Sequence, residues 1–202
     1  MLLSIVSPII GGIMVMYAFF TGATTAQSII REDEERTLPR LFTTPTPQAA
    51  ILSGKFLSVL LTVLVQVVVL IVVARLVFGV EWGEPAPVGL AAAGLVLIAS
   101  SAGICVNSFL KSPKMAGTVF GGVLVLTGML GMISVFAQGS PGAEQLGGTV
   151  SLLVPQGWAI RGLMQAMNGA PLRDVALTAA VMLVLSAAFF ITGVWRFNKR
   201  YA

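Results

Sequence analysis

Charge is scarce in this 202-residue chain. Only 10% of its residues are Asp, Glu, Lys or Arg, against about 25% in a soluble domain, and 56% are apolar. Mean hydropathy is +0.95, and such a chain would precipitate in water, so a soluble globular domain is excluded. Histidine is absent, which removes histidine-dependent metal sites, haem ligation and Ser-His or Cys-His catalysis. One cysteine, Cys105, closes no internal disulfide and forms no CxxC site. No Asp or Glu lies inside the long apolar runs, and proton relays across membranes usually need such acids. The net charge of +4 comes from twelve basic residues dispersed among apolar runs. They make no basic face, and nucleic acid is not an expected partner.

What is abundant is uncharged apolar sequence. A bilayer core of about 30 Å needs roughly 20 residues of helix. Five stretches meet that length: residues 1–30, 56–78, 88–110, 115–137 and 175–195. Barrel strands alternate, and these runs do not, so each reads as a helix that satisfies its own backbone hydrogen bonds.

Loop charges set the topology. Arg31, Arg36, Arg40 and Lys55, then Lys111 and Lys114, then Arg196, Lys199 and Arg200 fall on one side. Arg75, Arg161 and Arg173 fall on the other. Nine against three puts the first group in the cytoplasm, with the C-terminus inside and the N-terminus outside. Thr24-Thr25-Ala26 resembles a signal-peptide cleavage site, but no Lys or Arg precedes Arg31, and a signal peptide wants a positive start. An outside N-terminus without a signal predicts a further helix upstream, with Met1 an internal start.

Two segments are not simple spans. Residues 31–55 open with seven charges, Arg31 to Arg36 and Arg40. Thr37 can cap a short turn with Leu38, Leu41 and Phe42 on one face. Pro45 ends that turn. Thr46 then caps a helix with Pro47 at its first position, continuing through Ile51 and Leu52 into the second span. The reading is a short amphipathic helix at the cytoplasmic surface, either a contact for a partner or a plain interfacial anchor. Ser53-Gly54-Lys55 is not a P-loop, because Ala49 and Phe56 stand where Gly and Ser or Thr are needed. Residues 138–172 form the long outer connection. Its stretch from Gly139 to Gly148 is Gly-rich and reads as flexible. Val150 to Met167 is apolar but broken by Pro155 and Arg161, so it reads as an outer-surface or re-entrant helix with Trp158 at headgroup level. A passive cap and a gating element both fit it.

Glu34-Glu35-Arg36-Thr37-Leu38, then Thr44-Pro45, then Gly54-Lys55 at the start of a span resemble the cytoplasmic motif of the membrane permeases of type-2 ATP-binding-cassette exporters. That motif runs E-x-G-T-L, T-P and, nine residues later, G-K; here Arg36 replaces the usual Gly and Ala50 a frequent acid. Pro155, Trp158 and Arg161 also resemble the family's proline, aromatic and arginine before its last span. The resemblance covers essentially the whole chain, from what looks like the family's second helix onward. It implies an all-α integral membrane protein of five transmembrane helices, six in the complete chain. A short cytoplasmic coupling helix and an outer re-entrant or surface helix complete it.

It further implies a permease subunit of an exporter in the cell membrane, dimeric with a second copy or a paralogue. The subunit would have no ATP site of its own and would rest on a separate ABC ATPase. Glu34, Thr37, Leu38, Leu41, Phe42, Thr44, Pro45, Gly54 and Lys55 would form the ATPase-coupling segment. Pro155, Trp158 and Arg161 would mark the outer re-entrant segment. No catalytic, cofactor-binding or metal site is expected. A membrane scaffold or assembly protein is the rival reading, and an intramembrane enzyme stands behind both for want of paired catalytic groups. Arg75 lies 19 residues after Phe56, about 28 Å along a helix, where it reaches the outer interface. Cys105 reads as packing. Gly117, Gly121, Gly122, Gly128 and Gly131 allow close helix approach, internal or between copies.

Overall fold

In the computed structural model, residues 2–35, 48–110, 112–138 and 141–201 are described, and among them no strand occurs. Seven helices follow one another. They are α1 (Leu2–Glu34), α2 (Gln48–Phe78), α3 (Pro85–Phe109), α4, α5 (Pro141–Ser151), α6 (Pro155–Met167) and α7 (Leu172–Tyr201). Helix α4 is composite, with Pro113–Val119, a π-helical turn at Phe120–Leu124, and Val125–Phe136. Among the described residues, five helices are long and apolar enough to cross a membrane: Val6–Glu32, Ser53–Phe78, Pro85–Phe109, Lys114–Phe136 and Leu172–Phe197. The all-helical, five-span class expected from the apolar runs is the one observed. Helices α3, α4 and α6 each begin with proline in the first turn, where its missing N–H has no helical partner to lose.

The side-chain contacts fix the directions. Gly12 meets Met132 and Val135 while Gly128 meets Met16, so α1 and α4 run antiparallel. Gly94 meets Met182, Ser101 bonds Ser186, and Arg196 lies over Phe109, so α3 and α7 run parallel. Helices α1, α3 and α7 therefore point one way, and α2 and α4 the other.

Helix α3 is the axis. Two-thirds of its span is buried, against 17% for α2. Lipid is as apolar as leucine, so helices in a membrane associate through close backbone approach and interhelical hydrogen bonds. Both appear here. A Cβ on Gly103 would run into the backbone of Gly22 and Ala23, and one on Gly22 into the carbonyl of Ala99. The Asn107 side-chain amide donates across that crossing to Ala23 O at 2.8 Å. On the α7 side Ser101 donates to Ser186 Oγ at 2.9 Å, and Ser186 to Leu97 O at 3.0 Å. Helix α2 shows the opposite character. Leu61, Val65, Val68, Val69, Val72 and Leu76 are exposed, the surface a bilayer covers.

The expectation for the glycines of α4 divides. Gly128 and Gly131 pack internally, against Met16 and against Gln156 and Gly157, whereas Gly117, Gly121 and Gly122 face open space. The flexible reading of Gly139 to Gly148 is corrected from Pro141 onward, where the chain enters α5. There Gly147 packs against Ile133 and Ala137, and that contact stabilises a helix whose glycines oppose it.

Candidate functional site

Two places carry chemistry, one at each end of the bundle. At the first end α1 and α2 run as unbroken helices beyond their apolar cores, to Glu34 and from Gln48. Lys55 Nζ donates to Glu32 Oε1 across the neck of the intervening loop. Both side chains are only about a quarter exposed, at 24% and 28%, so the pair is screened less than a surface one. Arg31 and Glu35 make an exposed pair at 3.0 Å. Glu34 lines a polar cavity of about 440 Å³ with Thr24, Gln27, Ser28, Arg31 and Glu35. Gly54 is exposed, and a Cβ there would meet nothing within 4 Å outside its own helix backbone. Thr37, Leu38, Leu41, Phe42, Thr44 and Pro45 lie outside the described residues. Of the expected coupling segment, the structure thus brings together its two ends, near Glu34 and Lys55.

At the second end α5 and α6 form a helical hairpin. Its tip is the turn Leu152 to Val154, closed by Leu152 N–H to Thr149 O at 3.2 Å and Gly157 N–H to Val154 O at 3.1 Å. The carbonyl of Ser151 crosses so near Gly157 that a Cβ there would collide with it. Glycine is required by the turn. The tip docks on α4, where Gln156 Nε2 donates to Thr127 Oγ1 at 2.8 Å and Gly131 meets Gln156 and Gly157. Thr127 lies nine residues before Phe136, the end of α4, so the tip reaches about 14 Å inward from that end at 1.5 Å per residue. The tip thus packs along α4, inward of its end. The hairpin's other end lies by Pro8, Gln138 and Asn168.

Pro155 starts α6 at the tip. Trp158 sits one turn on, and its indole N–H donates to Leu152 O at 2.9 Å. It pins the tip, about 14 Å of helix away from Met167, because a buried indole N–H needs an acceptor and the turn offers one. Arg161 is exposed and lies 5.7 Å from the Trp158 ring centroid. It lines a cavity of about 500 Å³ together with Ser134, Gln138, Glu144, Gln145 and Gln165. A neighbouring space of about 290 Å³ continues past Gln138, Glu144 and Asn168 to Pro8 and Met167. Gln165 is held by Thr178 of α7, whose hydroxyl donates to Gln165 Oε1 at 2.7 Å.

Beside the hairpin, the loop after α2 folds back so that Trp82 Nε1 donates to Ile71 O at 3.0 Å. Trp82, Arg75 and apolar residues of α2 and α3 line a further cavity of about 480 Å³. Arg75 is exposed one turn before the end of α2. No group of three or more metal-ligating side chains occurs among the described residues.

Sequence reasoning passed over Glu32, Thr127, Gln138, Glu144, Gln156 and Gln165. Some signal was available. Glu144 is the one acid between Glu84 and Asp174, and Thr127 interrupts an apolar run. Gln156 adjoins the helix-starting proline.

The fold, the charge distribution and the hairpin define a polytopic helical membrane protein with a helical hairpin at one end. The family model described as ABC-2 family transporter protein matches residues 2–196, and the chain belongs to that family. It is 24% identical over 188 residues to the linearmycin resistance permease protein LnrN of Bacillus subtilis (strain 168). The match covers 90% of this chain and 47% of LnrN, so the chain spans about half the length of that relative. No solved structure matches.

Proposed function

We propose that this chain is the transmembrane permease subunit of an exporter that moves a hydrophobic or amphipathic substrate. ATP would be bound by a separate ABC ATPase subunit, and a second permease copy or a paralogue would complete the pathway. The family membership supports the membrane role, and the naming of LnrN for linearmycin resistance supports export. The observation that carries the mechanism is the Glu32–Lys55 pair at the neck of residues 36–47. It ties together two helices that continue without a break into the membrane. A push on the loop therefore moves α1 and α2 as levers, and α1 carries the motion to α3 through the Gly22–Gly103 crossing. The end bearing Arg31, Lys55, Lys114, Arg196 and Lys199 is the cytoplasmic one on this reading, in the cell membrane, by the excess of positive charge.

Leu38, Leu41 and Phe42 are the residues that fill a groove on the ATPase. The double substitution Leu41→Asp, Phe42→Asp puts charge into that contact at a cost of several kcal/mol. Loss on the order of a thousandfold in affinity follows from about 4 kcal/mol. The variant inserts normally yet loses ATPase association in detergent and transport together. Replacing the exposed Val65 and Val68 of α2 by alanine leaves both intact. Normal association and transport by the doubly charged variant would rule out the coupling role.

A further inference from the structure

The outer cavity holds one guanidinium and one carboxylate that do not pair with each other. Among the described residues, the ion pairs are Arg31–Glu35 and Lys55–Glu32, and Arg161 and Glu144 take part in neither. Arg161 donates no hydrogen bond to a described residue; its contact is the Trp158 ring, which fixes the plane of the guanidinium while leaving its five donors free. It stands six residues before Met167, about 9 Å of helix below the outer end of the hairpin. An exposed guanidinium that takes part in neither ion pair is free to receive a counter-charge. Glu144 lines both the 500 Å³ cavity and the 290 Å³ space beside it, so it stands where the two meet. The same cavity is lined by the amide side chains of Gln138, Gln145 and Asn168, with Leu152 and Met164 in the apolar part of the wall.

We infer that this vestibule binds a zwitterionic headgroup, a phosphate joined by a few bonds to an ammonium. The phosphate oxygens take the fork of Arg161, which suits planar bidentate contact. The ammonium faces Glu144. Gln138, Gln145 and Asn168 supply neutral hydrogen bonds to the connecting atoms. A carrier of such a headgroup is an amphiphile of the outer leaflet, and the cavity lies at the end of the bundle read here as the outer one. The inference stands apart from the transport reading, since it concerns binding by this chain without any ATPase, and either can fail alone.

The test is lipid retention measured by native mass spectrometry. The delipidated chain in maltoside micelles is offered equal amounts of phosphatidylethanolamine, phosphatidylglycerol and diacylglycerol of the same acyl chains. Wild type retains phosphatidylethanolamine at least tenfold better than diacylglycerol, and better than phosphatidylglycerol. Arg161→Gln brings all three to the diacylglycerol level, and Arg161→Lys recovers part of the preference. Glu144→Gln removes only the preference for phosphatidylethanolamine over phosphatidylglycerol. Both residues are exposed, so neither substitution disturbs packing. Soluble phosphoethanolamine as competitor separates the sources: displacement assigns the site to the free headgroup chemistry, and failure to displace assigns it to the membrane lipid. Equal retention of diacylglycerol and phosphatidylethanolamine by wild type overturns the inference, as does unchanged retention by Arg161→Gln.

Discussion

Replacing Gly103 by alanine drives α1 away from α3. The added Cβ would lie 2.8 Å from the amide nitrogen of Ala23 and nearer still to the Gly22 carbonyl, whereas ordinary contact begins at 3.4 Å. Both obstacles are backbone inside a helix, so neither can swing aside, and relief requires the helices to separate by about 1 Å. A gap of that size forfeits a quarter to a half of each dispersion contact across it, and overpacking of this kind costs roughly 1–3 kcal/mol. The same shift stretches the Asn107–Ala23 hydrogen bond of 2.8 Å, a bond of a type worth about 0.6 kcal/mol within membranes. Alanine regains about 1 kcal/mol over glycine in helix propensity. The net expectation is a loss of about 0.6–2.6 kcal/mol. Gly117→Ala makes the identical chemical change where nothing lies within 4 Å, and only the propensity gain remains. Reversible unfolding in maltoside by added dodecyl sulfate, followed by tryptophan fluorescence, separates the two. Equal midpoints for Gly103→Ala and Gly117→Ala would refute the crossing as a determinant of the fold.

Three further outcomes are expected. Thr127→Val strands both polar atoms of the buried Gln156 and costs about 1–3 kcal/mol, whereas Gln156→Leu costs less because Thr127 still donates to Val123 O; the same unfolding assay ranks them, and the reverse order contradicts the docked hairpin. Lys55→Glu sets two carboxylates at the neck of the loop and lowers stability by about 1 kcal/mol, and adding Glu32→Lys restores the midpoint; additive losses in the double variant contradict the pair. In a Cys105→Ala background, cysteines at Ser112 and Ser140 label from opposite faces of intact cells, and labelling of both from outside contradicts the topology.

The spans were legible because uncharged length needs no partner to be recognised. Even the end of α2 at Phe78 follows from the apolar run that continues past Arg75. The start of α2 near Gln48 was announced by Thr46 and Pro47 ahead of it. What the sequence concealed was pairing. Gly22 and Gly103 carry no mark that sets them apart from Gly117, and the difference appears only when α1 crosses α3. The hairpin was half visible. Pro155 and Arg161 break an apolar run and so argue against a full span, but α5 is glycine-rich and reads as a linker. Its helix is held by Ile133 and Ala137 of α4 against Gly147, a tertiary contact that overrides weak propensity. The bond that Trp158 makes was not legible either, because only the folded tip brings the carbonyl of Leu152 to its N–H. Glu144 and Arg161 are 17 residues apart in sequence and share a cavity only because the chain reverses at the tip.

The central claim is that this chain works as one membrane subunit on a separate ATPase. Its most direct test is native mass spectrometry of the complex purified from the source membrane through a tag on the protein that carries this sequence. The expected result is an assembly of two permease subunits with ATPase subunits in equal copy number, which Leu41→Asp, Phe42→Asp reduces to permease alone. A wild-type protein that leaves the membrane without any P-loop ATPase, while still conferring full transport on cells, would contradict it.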